Sequence, residues 1–261
     1  SFARLRPGLP RLSMDAATAE EDHMEKVIYL LWRDAGESGE QFGQRLRGGL
    51  AERLLALGAR GVQLNVADAA SAPGEALRQS NTRPQIEGML SLWLDSAIAR
   101  FRQPFDDAIG AAVPRMAAYL VTESQPIRNT LHPSQPGQRT AGFAQVAVLR
   151  RPPRLTHEAW LDIWHNSHTQ VAIDTQTTFQ YVQNVIVRPL SYGAPLYDAV
   201  VEECFPAAAM TDPQVFFDGV GNPEKFQRNL QGMMESVQRF IDLDKIDVVP
   251  TSQYVIKTID A

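Results

Sequence analysis

A shift of 118 residues (42 to 160) lays Phe42, Leu46 and Leu50 onto Trp160, Trp164 and His168. The same shift takes Leu31-Trp32-Arg33 onto Leu149-Arg150-Arg151, and Gly61–Val66 onto Phe179–Asn184. A shift of 111 takes Glu87–Leu94 onto Asp198–Phe205. Few residues are identical; what recurs is the order of elements and the apolar spacing. An internal repeat confines the fold to two copies of one small unit, each hiding an apolar face.

The unit is legible twice. In the first copy, Lys26–Arg33 is a short aliphatic and aromatic strand. Glu40–Leu57 is a helix striped by Phe42, Leu46, Leu50 and Leu54, and Gly58 stops it. Strand Gly61–Val66, loop Ala67–Pro84 and strand Ile86–Leu94 follow. A helix over Pro104–Ala112 is expected to begin at its proline, before a fourth strand over Met116–Glu123. The order is βαββαβ. Gln125–Thr140, rich in proline and polar groups, reads as a linker.

The second copy starts with strand Gly142–Arg150 and a helix from Thr156 to about Asp174. Thr156 can cap that helix, but Ala159 leaves the capping box incomplete. Strands Phe179–Val187 and Tyr197–Phe205, helical pieces Pro213–Val220 and Pro223–Leu243, and strand Gln253–Thr258 complete it. The expected fold is α+β: two tandem ferredoxin-like units whose antiparallel sheets pack face to face. The expected division is a leader or arm over 1–24, unit 1 over 25–124, a linker over 125–141 and unit 2 over 142–261.

Composition limits the function. The 44% hydrophobic and 21% charged fractions suit a globular protein. A net charge of −5 with scattered Lys and Arg argues against a nucleic-acid surface. No apolar run reaches the roughly 20 residues of a membrane span. The single Cys204 fits a reducing compartment, so a cytoplasmic location is expected. Ser1–Ser13 lacks the apolar core of a secretory signal, and Met14 and Met24 each look like a native start. Asp15–His23 reads as a loose arm or short helix.

The chemistry gathers at Trp160, Trp164 and His168. At roughly 100° per residue they fall within about 80° of one another on a helix, with Asp162 and Asn166 on the other side. His168 then projects from an apolar face among large rings. A core histidine satisfied by one hydrogen bond is the plain alternative. A partly desolvated imidazole is also suited to general acid/base work. Trp160 and Trp164 are core filler or walls of a binding site.

Strand parity puts Glu202 with Val200 and Cys204, and Glu203 with Val201 and Phe205. One carboxylate should face the interior or a pocket. Tyr181 and Asn184 lie on opposite faces of their strand, so at most one can share a pocket with Glu202. His165 and His168 make an H-x-x-H pair, but zinc needs a third protein ligand and none is spaced for it.

At these residues the chain resembles the EthD-domain family of the dimeric α+β barrel superfamily. The family's aromatic-x-x-x-Trp-x-x-x-His helix stands here as Trp160, Trp164 and His168. Tyr181–Asn184 is similar to its next strand, and Asp198, Glu202, Cys204 and Phe205 to the one after. The first copy keeps Glu87-Gly88 and Trp93–Ser96 but has Leu50 and Ser91 where His168 and Glu202 stand.

The resemblance implies an intrachain barrel, with a pocket between sheet and helices of the second unit. It points to Glu202 as the acid beside His168, and to Trp160, Trp164, Tyr181 and Asn184 as substrate contacts. It implies a lyase, isomerase or oxidoreductase acting on a hydrophobic aromatic, polyketide-like or xenobiotic compound. The reaction would be dehydration, decarboxylation, isomerisation or cofactor-free oxygenation. No cofactor or metal is expected; superfamily analogy leaves a haem-binding oxidoreductase as an alternative. A non-catalytic carrier of a hydrophobic metabolite is the rival from another class. Two such chains can still pair as a homodimer.

Overall fold

A computed structural model describes residues 23–259. The expected arm over Asp15–His23 lies, but for His23, outside the described residues. In the first half, β1 (Glu25–Trp32) leads into α1 (Gly39–Arg45), a π-turn over Leu46–Leu50, and α2 (Ala51–Ala56). Then come β2 (Gly61–Val66), β3 (Gly88–Leu94), α3 (Ala99–Ala112) and β4 (Arg115–Ile127). In the second half, β5 (Phe143–Leu149) leads into α4 (His157–Ile163), a π-turn over Trp164–His168, and α5 (Thr169–Thr175). After β6 (Gln180–Pro189) and β7 (Ala199–Phe205) come α6 (Pro213–Phe216), α7 (Pro223–Phe240) and β8 (Asp247–Lys257).

The eight strands close into one antiparallel barrel in the order β1-β3-β2-β8-β5-β7-β6-β4. Within each half the order is fourth, first, third, second: β4-β1-β3-β2 and β8-β5-β7-β6. The two sheets are therefore joined at both edges into one barrel within the chain, the closure that the family resemblance implied. The long last strand of each half makes the joint. Residues 115–121 of β4 pair with β1, and residues from 119 onward pair with β6. Likewise β8 pairs first with β5 and, from Ser252, with β2.

Closure leaves no open sheet edge and gives the central part of the strands an inner and an outer packed face. Ile28, Leu30, Val146, Val148, Val200 and Val249 pack inside the barrel. Leu31, Phe42, Leu46, Leu50, Leu92 and Ile109 form the outer core of the first half. Trp160, Trp164, Tyr181, Val201, Met233 and Phe240 do so in the second.

Three boundaries differ from expectation. Helix α3 starts at Ala99, so Pro104 sits in its second turn. That position is exposed, and water can reach the carbonyl the ring cannot serve. Strand β8 starts at Asp247 despite Pro250, which lies before β8 joins β2, so that side has no ladder bond to lose. The expected linker is shortened by β4, and Thr140 N donates to Gln253 O at 2.9 Å.

Candidate functional site

α4 begins as its sequence predicts: Thr156 Oγ1 accepts from Ala159 N at 3.2 Å. The indoles then turn inward to satisfy their N–H groups. Trp160 Nε1 donates to Phe240 O at 3.1 Å, and Trp164 Nε1 donates to Tyr181 Oη at 3.0 Å. The ring centroids are 5.2 Å apart, and neither indole lines the cavity that His168 faces. Trp160 and Trp164 are thus core behind the site rather than its wall. A buried indole aims its N–H at an acceptor, and both acceptors here are protein groups.

The π-turn that follows ends on His168, which faces a cavity of about 690 Å³ between the outer face of β5, β7 and β6 and helix α7. Its Nδ1 lies 3.0 Å from Ser236 Oγ of α7, and its ring sits 4.6 Å from Phe240. With Nδ1 engaged, Nε2 is the nitrogen left for a ligand. Burial, and secondarily the charge of Arg239, pushes this imidazole down to about 4, so it is neutral near pH 7.

The carboxylate in this cavity is Glu203. Glu203 pairs with Gln145 of β5 and with Tyr181 of β6, so three polar side chains form one row across the cavity floor. Burial pushes the Glu203 carboxyl up to about 7. The Tyr181 hydroxyl is raised by burial first and by the Glu203 charge second. Gly142 precedes the strand that carries Gln145: its φ is +82°, and a Cβ there would lie 2.0 Å from Phe205 O.

Glu202, the acid expected beside His168, points into the barrel instead. Its carboxylate accepts from Gln63 Nε2 (2.8 and 3.0 Å), Asn65 Nδ2 (2.6 Å) and Gln253 Nε2 (2.7 Å). Asn184 also faces the barrel interior, where its Nδ2 donates to Val200 O at 3.1 Å. Of the residues expected to meet, the structure brings His168 and Tyr181 to one cavity and sends Glu202 and Asn184 to another space. The cause is strand parity: neighbours on β7 face opposite sides of the sheet.

Sequence reasoning chose Glu202 over its neighbour Glu203, and missed Ser236, Gln145 and the contribution of the first half. Pro73, Leu77 and Gln79 of the β2–β3 loop line the same cavity, and Gln79 exchanges backbone hydrogen bonds with Val248 (3.0 and 2.9 Å). His165 does not line it. No group of three His, Cys, Asp or Glu among the described residues could hold a metal.

Part of the second half of the chain is similar to the EthD domain. The family model matches residues 152–244, which include His168, Tyr181, Glu203, Ser236 and Phe240. No curated protein matches the sequence. Among solved structures, the chain is similar to an anthrone oxidase-like protein at TM-score 0.51 and 10% identity, covering 93% of this chain and 97% of that one. It is also similar to a mutant chlorite dismutase from Candidatus Nitrospira defluvii at TM-score 0.41 and 12% identity, covering 89% and 92%. The likeness to the anthrone oxidase-like protein is one of fold. No helix among the described residues is long and apolar enough to cross a membrane.

Proposed function

We propose that this chain is a small-molecule enzyme that moves a proton at an activated carbon of a hydrophobic aromatic or polyketide-like compound. One observation carries the reading: His168 and Glu203 line the same largely apolar cavity. A carboxylate that ionises near 7 is a well-matched general base at neutral pH. A neutral imidazole can polarise the adjacent carbonyl oxygen without itself being charged. Glu203 would take the proton from carbon and return it elsewhere. The resulting carbanion is the shared start of dehydration, isomerisation and cofactor-free oxygenation.

Ser236 acts as a positioning residue by holding Nδ1. The first half, read as a ferredoxin-like unit like the second, completes the barrel and lends the β2–β3 loop as one wall. Residues 25–124 and 142–261 are the two units.

Haem fits this lining poorly. His168 offers one imidazole, but among the described residues no Lys or Arg lines the cavity to pair with two propionates, and Glu203 adds negative charge. A Soret band in the purified protein would contradict that fit.

The test is a pH profile of kcat/KM for any substrate found. With Glu203 as base, the rate rises through about pH 7 and the rise disappears in Glu203→Gln. Tight binding with no turnover of any compound would favour the carrier reading instead.

A further inference from the structure

We infer that the ligand of this cavity is a neutral molecule that hydrogen-bonds to one row of side chains, and that the site rejects acids. The inference rests on the reading of this cavity as the substrate site. Gln145, Glu203 and Tyr181 stand in direct register on three adjacent strands. At about 4.8 Å per strand they form a straight polar row roughly 10 Å long. The amide of Gln145 can donate and accept. Tyr181 Oη accepts from Trp164 at one end of the row. Facing the row are the apolar Phe216, Met233, Val237 and Phe240; the other polar side chains of the lining are Gln79, His168, Gln176 and Thr211.

Charge narrows the class further. Among the described residues the cavity lining holds no Lys or Arg, and its one acidic side chain is Glu203. The Arg239 guanidinium is turned to Ser167 Oγ at 2.7 Å on the exposed side of α7. A bound carboxylate, phosphate or sulfate would be desolvated with no Lys or Arg to pair with, beside a carboxyl whose ionisation it opposes. Hydroxyl and carbonyl oxygens on one rim of a flat ring system meet the row without that penalty. Decarboxylation of a free acid therefore leaves the list of reactions, and any step that removes or masks an acid must precede this one.

Calorimetry with two probes of one shape, naphthol and naphthoate substituted at the same ring position, tests this at about pH 7. Naphthol should bind at least about tenfold more tightly. Glu203→Gln should narrow the gap, and Gln145→Arg should reverse the preference by supplying a cation. Equal or tighter binding of naphthoate to the unaltered protein would overturn the inference. So would absence of naphthol binding at about millimolar concentration. Turnover is not read here: a protein that prefers naphthol yet catalyses nothing would sink the catalytic reading and leave the ligand class standing.

Discussion

His168 and Leu50 close matching π-turns, Trp164–His168 and Leu46–Leu50, in the two halves of one barrel. The 118-residue spacing found in sequence is thus kept down to an irregular turn, a feature often retained at functional sites. In one half the turn delivers an imidazole to a cavity. In the other it delivers a leucine, 4% exposed, to a filled core.

Leu50→Ala should accordingly cost about 2–5 kcal/mol in denaturant unfolding, the usual price of a large-to-small core change. The folded fraction should keep its activity. Full stability with lost turnover would contradict a purely structural first-half helix.

Neighbouring glutamates should behave oppositely. Glu202→Gln leaves amide donors facing an amide inside the barrel, and should lower stability by roughly 1–3 kcal/mol while kcat stays near normal. Glu203→Gln should leave the fold intact and lower kcat about 10²–10⁴-fold. Comparing melting temperature and kcat for the pair checks both arms; the reverse pattern would restore Glu202 as the acid.

These two residues also mark the limit of what could be read in advance. Element order, both helix stripes and the cap at Thr156 were legible because each has a local cause. The side on which Glu202 faces was not. Ala199–Phe205 is buried on both faces, against helices outside and across the barrel inside, so no polar alternation betrays which is which. Ser236 lies on a helix 68 residues from His168 (236 minus 168), and only tertiary packing joins them. The closure of the barrel depended on strands β4 and β8 running past their own sheets, which apolar spacing alone does not reveal.

Stability should depend on pH through Glu203. Its folded carboxyl is raised to about 7, above the ordinary value of 4.5, so the folded chain holds the proton more tightly. That contribution is fully present below about 4.5 and is lost as pH rises through about 7. His168 works in the opposite sense: its folded value of about 4 lies below 6.5, so its contribution is present above 6.5 and lost as pH falls through 4. Glu203→Gln should therefore gain stability relative to the unaltered protein between pH 5 and 8, by roughly 1–3 kcal/mol. A difference that does not change with pH would place the Glu203 carboxyl in water.

Ser236→Ala should lower kcat by about tenfold with little change in KM, since it frees the imidazole without removing it. Ser236→Thr, which keeps the hydroxyl, should recover most of the rate. An equal loss in both variants would mean that packing, not the hydrogen bond, matters at this position.

Proton transfer itself can be watched without knowing the natural substrate. Tetralone, a neutral ring ketone with exchangeable hydrogens beside its carbonyl, can be incubated with the protein in D₂O and followed by NMR. The account predicts faster deuterium uptake at that carbon than in buffer, lowered about 10²–10⁴-fold toward background in both His168→Gln and Glu203→Gln and kept in Glu202→Gln. No acceleration by the unaltered protein, or acceleration that survives in both cavity variants, would contradict it.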